Sequence, residues 1–138
     1  KITNYLGSFA IDELNDINLS TLPSFLVINM DKRSEKGSHW IAIAVYINNV
    51  YICDPLGGII PDNVQPKPLI NFLEIILSTR KLNMTCQLQP SDSKLCGYYC
   101  ALFVKEMEYY NCFKCFLNLF SRDKKRNDQL VRFLNKRI

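Results

Sequence analysis

No stretch of this sequence reaches the ~20 consecutive apolar residues of a membrane-spanning helix. The unbroken apolar runs are short, Ile41–Ile47 among them. The first residues, Lys1-Ile2-Thr3-Asn4, lack the apolar core of a secretion signal and also lack Met. The expectation is an intracellular protein with no membrane contact and a trimmed start. No internal repeat and no low-complexity tract appears. Histidine occurs once, at His39, and tryptophan once, at Trp40. Chemistry that needs an imidazole therefore has a single candidate.

Cysteine is the unusual surplus, at Cys53, Cys86, Cys96, Cys100, Cys112 and Cys115. In a small secreted protein six cysteines would suggest three disulfides. Without a signal segment, and with apolar residues enough for a core, they read as reduced thiols. Cys112 and Cys115 form a C-x-x-C pair, but a structural zinc site takes four ligands, usually as two such pairs. The second pair is missing, so no metal is expected, and Cys112 and Cys115 read as packing residues on an aromatic-rich helix.

At 48% hydrophobic and 22% charged residues the composition is that of a globular protein. Its 138 residues suit one domain, 1–138, since a domain takes about 100–200 residues. A chain of this size buries roughly 68% of the surface its unfolded form exposes. The net charge of +4 is unevenly placed: from Ser121 to Ile138 there are seven basic and two acidic residues. The remainder is slightly acidic. The solvated face of a last helix accounts for this, and attraction to nucleic acid or an acidic partner is the sharper alternative.

Pattern along the chain gives an α+β fold, a small mainly antiparallel sheet packed against helices. Tyr5–Leu22 mixes polar and single apolar residues, and Ser8 or Asp12 could cap a short helix there. Phe25–Ile28, bounded by Pro23 and Asn29, reads as a buried strand. Asp31–Ser38 is a charged loop. His39–Tyr46 and Val50–Cys53 are strands joined by Asn48-Asn49, which makes a hairpin. Leu69, Phe72, Leu73, Ile76 and Leu77 recur at helical spacing within Lys67–Arg80. Met84–Leu88 is a further strand candidate. From Cys96 to Tyr110 the chain is apolar nearly all round, as a central buried helix is. An apolar patch, Phe113–Phe120, and a basic helix with Leu130, Phe133 and Leu134 follow.

Three chemically capable residues sit at the ends of elements. His39 opens one hairpin strand and Asp54 follows the other, so the hairpin makes them neighbours. A carboxylate beside a histidine fixes its tautomer and stabilises the imidazolium. Cys96 begins the buried helix, where the N-terminal field favours a thiolate. Together they are the parts of an activated thiol nucleophile. The Cys96 N–H and the Gln89 amide are candidate oxyanion donors. Gly97 leaves room for a substrate. Each residue also has an ordinary reading: a strand-end histidine, an Asp-Pro turn, an inert core cysteine.

At these residues the sequence resembles a known family. Gly37-Ser38-His39-Trp40 is similar to the Gly-x-His-Trp signature of the adenovirus endopeptidase (adenain) family, which shares a clan with the proteases that remove SUMO-type modifiers. Asp54-Pro55-Leu56-Gly57, Gln89 and Cys96-Gly97-Tyr98-Tyr99-Cys100 resemble its later motifs, and Tyr5–Phe9 with Phe25–Asn29 its N-terminal part. The resemblance implies an adenain-like cysteine protease fold, with His39 as general base, Asp54 as orienting acid, Cys96 as nucleophile, Gln89 completing the oxyanion hole and Trp40 walling the site. Asp54 stands where adenain has Glu. The resemblance further implies an endopeptidase that cuts viral capsid and core precursors, often near Gly. Its source would be an adenovirus-related virus or Polinton-type element, and its place a host nucleus or virion. It implies a monomer whose chemistry needs no cofactor. Adenain is enhanced by DNA and by an activating peptide tethered through a cysteine. Cys86 lacks that cysteine's spacing, so the tether is not carried over, whereas the basic Arg122–Arg137 segment keeps DNA as a partner. The alternatives are an isopeptidase for a ubiquitin-like modifier, with the same chemistry, and a non-catalytic DNA-binding module.

Overall fold

The computed structural model describes residues 4–30, 39–57 and 67–135. The whole charged loop Asp31–Ser38, with Gly37 and Ser38 of the signature, lies outside the described residues, as do Gly58, Pro61 and Pro66. Strands β2 (Ser24–Asn29) and β3 (Trp40–Val45) are buried almost throughout, as their apolar runs require. Leu26, Ile28, Ile41, Ile43 and Val45 join one core, and Phe25, Val27, Ala42 and Ala44 the other, on the opposite face of the sheet. With β1 (Tyr5–Ala10), β4 (Asn49–Cys53) and β5 (Lys81–Met84) they form a sheet in the order β1-β2-β3-β4-β5.

The central ladders, β2–β3 and β3–β4, are antiparallel, while β1–β2 and β4–β5 are parallel. Each edge strand is separated from its neighbour by a connection that returns the chain to the same end, as parallel pairing demands. The hairpin periodicity exposes the centre of the sheet but not the direction of its edges.

One face is covered by α1 (Lys67–Leu77) through Leu69, Phe72, Leu73 and Ile76, helped by Ile11 and Leu14 of a 3-10 turn, Ile11–Asp16. Full burial of such a side chain stabilises by about 1.5–3 kcal/mol. The other face carries α2 (Cys96–Tyr110), α3 (Phe113–Leu117) and α4 (Lys124–Asn135). The small Ala42 and Ala44 lie under α2, so the helix packs directly on β3. Asn111, with φ 51°, adopts the left-handed conformation that ends α2.

Some local readings give way to tertiary pairing. Within Tyr5–Leu22, where a short helix capped by Ser8 or Asp12 is expected, Tyr5–Ala10 is β1, paired with β2, and only Ile11–Asp16 is helical, a 3-10 turn that follows Ala10, whose N–H Glu13 accepts at 2.7 Å. Helix α1 stops at Leu77, and the Arg80 guanidinium donates to the carbonyls of Ile76 and Tyr46. The last strand is Lys81–Met84 rather than 84–88, because the chain beyond Met84 turns its hydrogen bonds to Ile52, Asp54 and Pro55. Cys112 and Cys115 are not packing thiols but a disulfide. Cys112 caps the short α3, and this holds the two Cα atoms 5.2 Å apart, within bridging reach. Cys53, Cys86, Cys96 and Cys100 are free.

Candidate active site

The β3–β4 hairpin pairs Ala42 with Cys53, which sets the residue before β3 beside the residue after β4. His39 Nε2 and Asp54 Oδ1 are 2.9 Å apart. The imidazole is 23% exposed and the carboxylate only 4%. Such burial strengthens the pair, because water screens it less.

Asp54 is held from several sides. Its Oδ1 also accepts the Leu56 N–H at 3.1 Å. Its backbone N–H donates to the Thr85 hydroxyl at 3.0 Å, and that hydroxyl donates to the Asp54 carbonyl at 2.9 Å. Gly57, at φ 70°, donates to the same carbonyl and lies against the next segment: a Cβ there would stand 2.6 Å from the Gln87 backbone nitrogen. Only glycine combines that dihedral with that approach. The Pro55 carbonyl then accepts from Leu88 and Gln89 at 2.8 and 3.1 Å. The turn that carries Asp54 therefore also positions Gln89.

Cys96 is the first residue of α2 and is 5% exposed. Burial pushes its thiol pKa up, but hydrogen bonds from His39 and from the backbone N–H groups of Trp40 and Gly97 outweigh burial and hold it below the ordinary thiol value. Burial likewise disfavours charge on His39, and the hydrogen bonds to Asp54 and Cys96 outweigh it, raising the imidazole to about 9. With Nε2 facing Asp54, Nδ1 is the ring nitrogen left for sulfur. The opposed shifts favour a thiolate beside an imidazolium, a nucleophile paired with a proton donor.

Gln89 is 1% exposed. Its Nε2 donates to the Ser93 carbonyl at 2.9 Å, and its Oε1 has no partner among the described residues. Ser93 uses one of the two amide hydrogens. The Cys96 N–H precedes the first hydrogen bonds of α2, in which Tyr98 and Tyr99 donate to Leu95. Trp40 and Gly97 line a groove of about 350 Å³ beside Cys96. Among the described residues no cluster of three or more His, Cys, Asp or Glu could hold a metal ion, and no helix is long and apolar enough to cross a membrane.

Two supports carry no sequence signal. Thr85 sits in an unremarkable strand tail. Asn127, buried on α4, donates to the Leu88 and Ser121 carbonyls at 2.9 Å each and accepts the Ser121 N–H at 2.9 Å. The Tyr99 hydroxyl donates to Asp128 at 2.7 Å. The basic C-terminal helix thus braces the Gln89 segment and α2 with one side, while Lys125, Arg126 and Arg132 are exposed.

No family model and no curated protein matches the sequence. Solved structures do match. The ASFV pS273R protease superposes with a TM-score of 0.58 at 14% identity, covering 90% of this chain and 57% of that one. Its selenomethionine form gives 0.51 at 20% identity, covering 78% and 43%. The α+β fold, a five-stranded sheet packed against helices, is shared with that protease. The chain spans little more than half the length of that protease, and at these identities the likeness is one of architecture.

Proposed function

We propose that this chain is a thiol endopeptidase of the viral type, with Cys96 as nucleophile, His39 as base and acid, and Asp54 as the group that orients and charges His39. The observation that carries this reading is the contact order Asp54–His39–Cys96, with sulfur at the start of α2 and its pKa lowered while that of His39 is raised. The likeness in fold to the ASFV pS273R protease supports it.

In this reading the Cys96 thiolate attacks the scissile carbonyl carbon. The negative charge that develops on oxygen is met by the Cys96 N–H and by the Gln89 amide hydrogen that Ser93 does not use. The imidazolium of His39 gives its proton to the leaving amine, the C–N bond breaks, and a thioester remains. Water then attacks the thioester; His39 takes the water proton, and Cys96 leaves as thiolate. Asp54 stays ionised and stabilises each imidazolium. Trp40 and Gly97 admit a slim backbone beside the sulfur, which suits substrates with glycine near the cut, as in viral capsid and core precursors.

The test is digestion of a proteome-derived peptide library, with new termini read by mass spectrometry. The expected result is a set of cleavages by the native chain that vanish in Cys96→Ala while its circular dichroism stays unchanged. Cleavages that persist in Cys96→Ala, or none by the native chain, would overturn the assignment.

A further inference from the structure

The groove beside Cys96 runs between α2 and the β1–β2 side of the sheet. Gly97, Ala101 and Lys105 line its helical wall, with Tyr5 and Val27 opposite and Trp40 among the lining residues. The three α2 residues recur every four positions and so share one helix face. A Cβ on Gly97 would meet nothing within 4 Å among the described residues, and Ala101 adds only a methyl group. The wall near the nucleophile is therefore low enough for a backbone to lie against it. Among the described residues Lys105 is the only charged residue lining an otherwise largely apolar groove.

We propose that this groove holds the substrate segment next to the scissile bond and that Lys105 selects an acidic side chain about four residues from that bond. The inference rests on the thiol-endopeptidase reading. Its register follows from two rises. The nine-residue step along α2 from Cys96 to Lys105 covers about 13 Å at 1.5 Å per residue. An extended peptide covers the same length in about four residues at ~3.3 Å each. Trp40 and Gly97, which line the groove, also hydrogen-bond the Cys96 sulfur through their backbone N–H groups, so the occupant is a peptide under cleavage; Lys105, the one charge among the described lining residues, makes the complementary charge a carboxylate. A partly exposed pair of this kind gives about 2–5-fold discrimination.

The same library, digested by the native chain, Lys105→Ala and Lys105→Glu, decides the matter. The native chain should enrich Asp or Glu at the third to fifth position on one side of the cut. Lys105→Ala should lose the enrichment, and Lys105→Glu should replace it with Lys or Arg. On matched peptides with Glu or Gln at that position, the native chain should favour Glu by about 2–5-fold in kcat/KM, through KM, and added salt should erode the preference. Cleavage without acidic enrichment within five residues of the bond, or enrichment that survives Lys105→Glu, would overturn the proposal and leave the endopeptidase reading standing. Absence of Cys96-dependent cleavage overturns both.

Discussion

Replacing Asp54 by Asn tests the electrostatics of the site without changing its shape. The Asn oxygen can occupy the place of Oδ1, where the Leu56 N–H at 3.1 Å holds it and His39 Nε2 lies at 2.9 Å. What is lost is charge. A hydrogen bond to an ionised group contributes about 1.5–3 kcal/mol against about 1 for a neutral pair. The difference, with the lost Coulomb attraction, corresponds to about 1–2 pKa units at about 1.4 kcal/mol per unit. The sign is definite: the carboxylate stabilises the imidazolium, so its removal lowers the His39 pKa from about 9 towards roughly 7–8. His39 is the only histidine in the chain, so its ring resonances can be followed by NMR across pH without assignment. Alkylation of Cys96 by iodoacetamide should slow in parallel near neutral pH, because a weaker imidazolium supports less thiolate. Titration of His39 in Asp54→Asn at its native value, with the amide spectrum intact, would refute the claim that Asp54 charges the ring.

Two further outcomes follow from the same geometry. Peptide cleavage should have a bell-shaped pH profile: the thiolate is lost as pH falls through the lowered Cys96 pKa, and the imidazolium is lost as pH rises through about 9; a kcat/KM that shows no alkaline fall would mean His39 does not act as a proton donor. Asn127→Ala removes four hydrogen bonds at a buried position, one of them long at 3.4 Å, and should cost about 2–3 kcal/mol in urea unfolding; unchanged stability would show that α4 does not brace the Leu88–Gln89 segment.

How much of this was legible before folding depends on the range of the information. The hairpin was readable because two apolar runs flank Asn48-Asn49, and a two-strand turn leaves the start of β3 little choice but to meet the end of β4. His39 and Asp54 were placed together by that local rule. Cys96 was singled out by its position at the head of an apolar helix, although only packing of α2 on Ala42 and Ala44 brings its sulfur to the ring. The end of α1 at Leu77 and the strand β1 are not legible in the sequence, because tertiary hydrogen bonds override local preference there.

The amino-acid sequence alone determined the kinds of element, the one available imidazole and the candidate thiol and carboxylate, since periodicity and residue type act over a few neighbours. Tertiary structure decided the parallel edges, the Cys112–Cys115 bridge, the grip of Thr85 on Asp54, the brace from Asn127 and the placing of Lys105 in the same groove as Trp40 and Gly97. These depend on contacts between segments distant along the chain, and no local pattern records which distant partner a buried donor, acceptor or charge will meet.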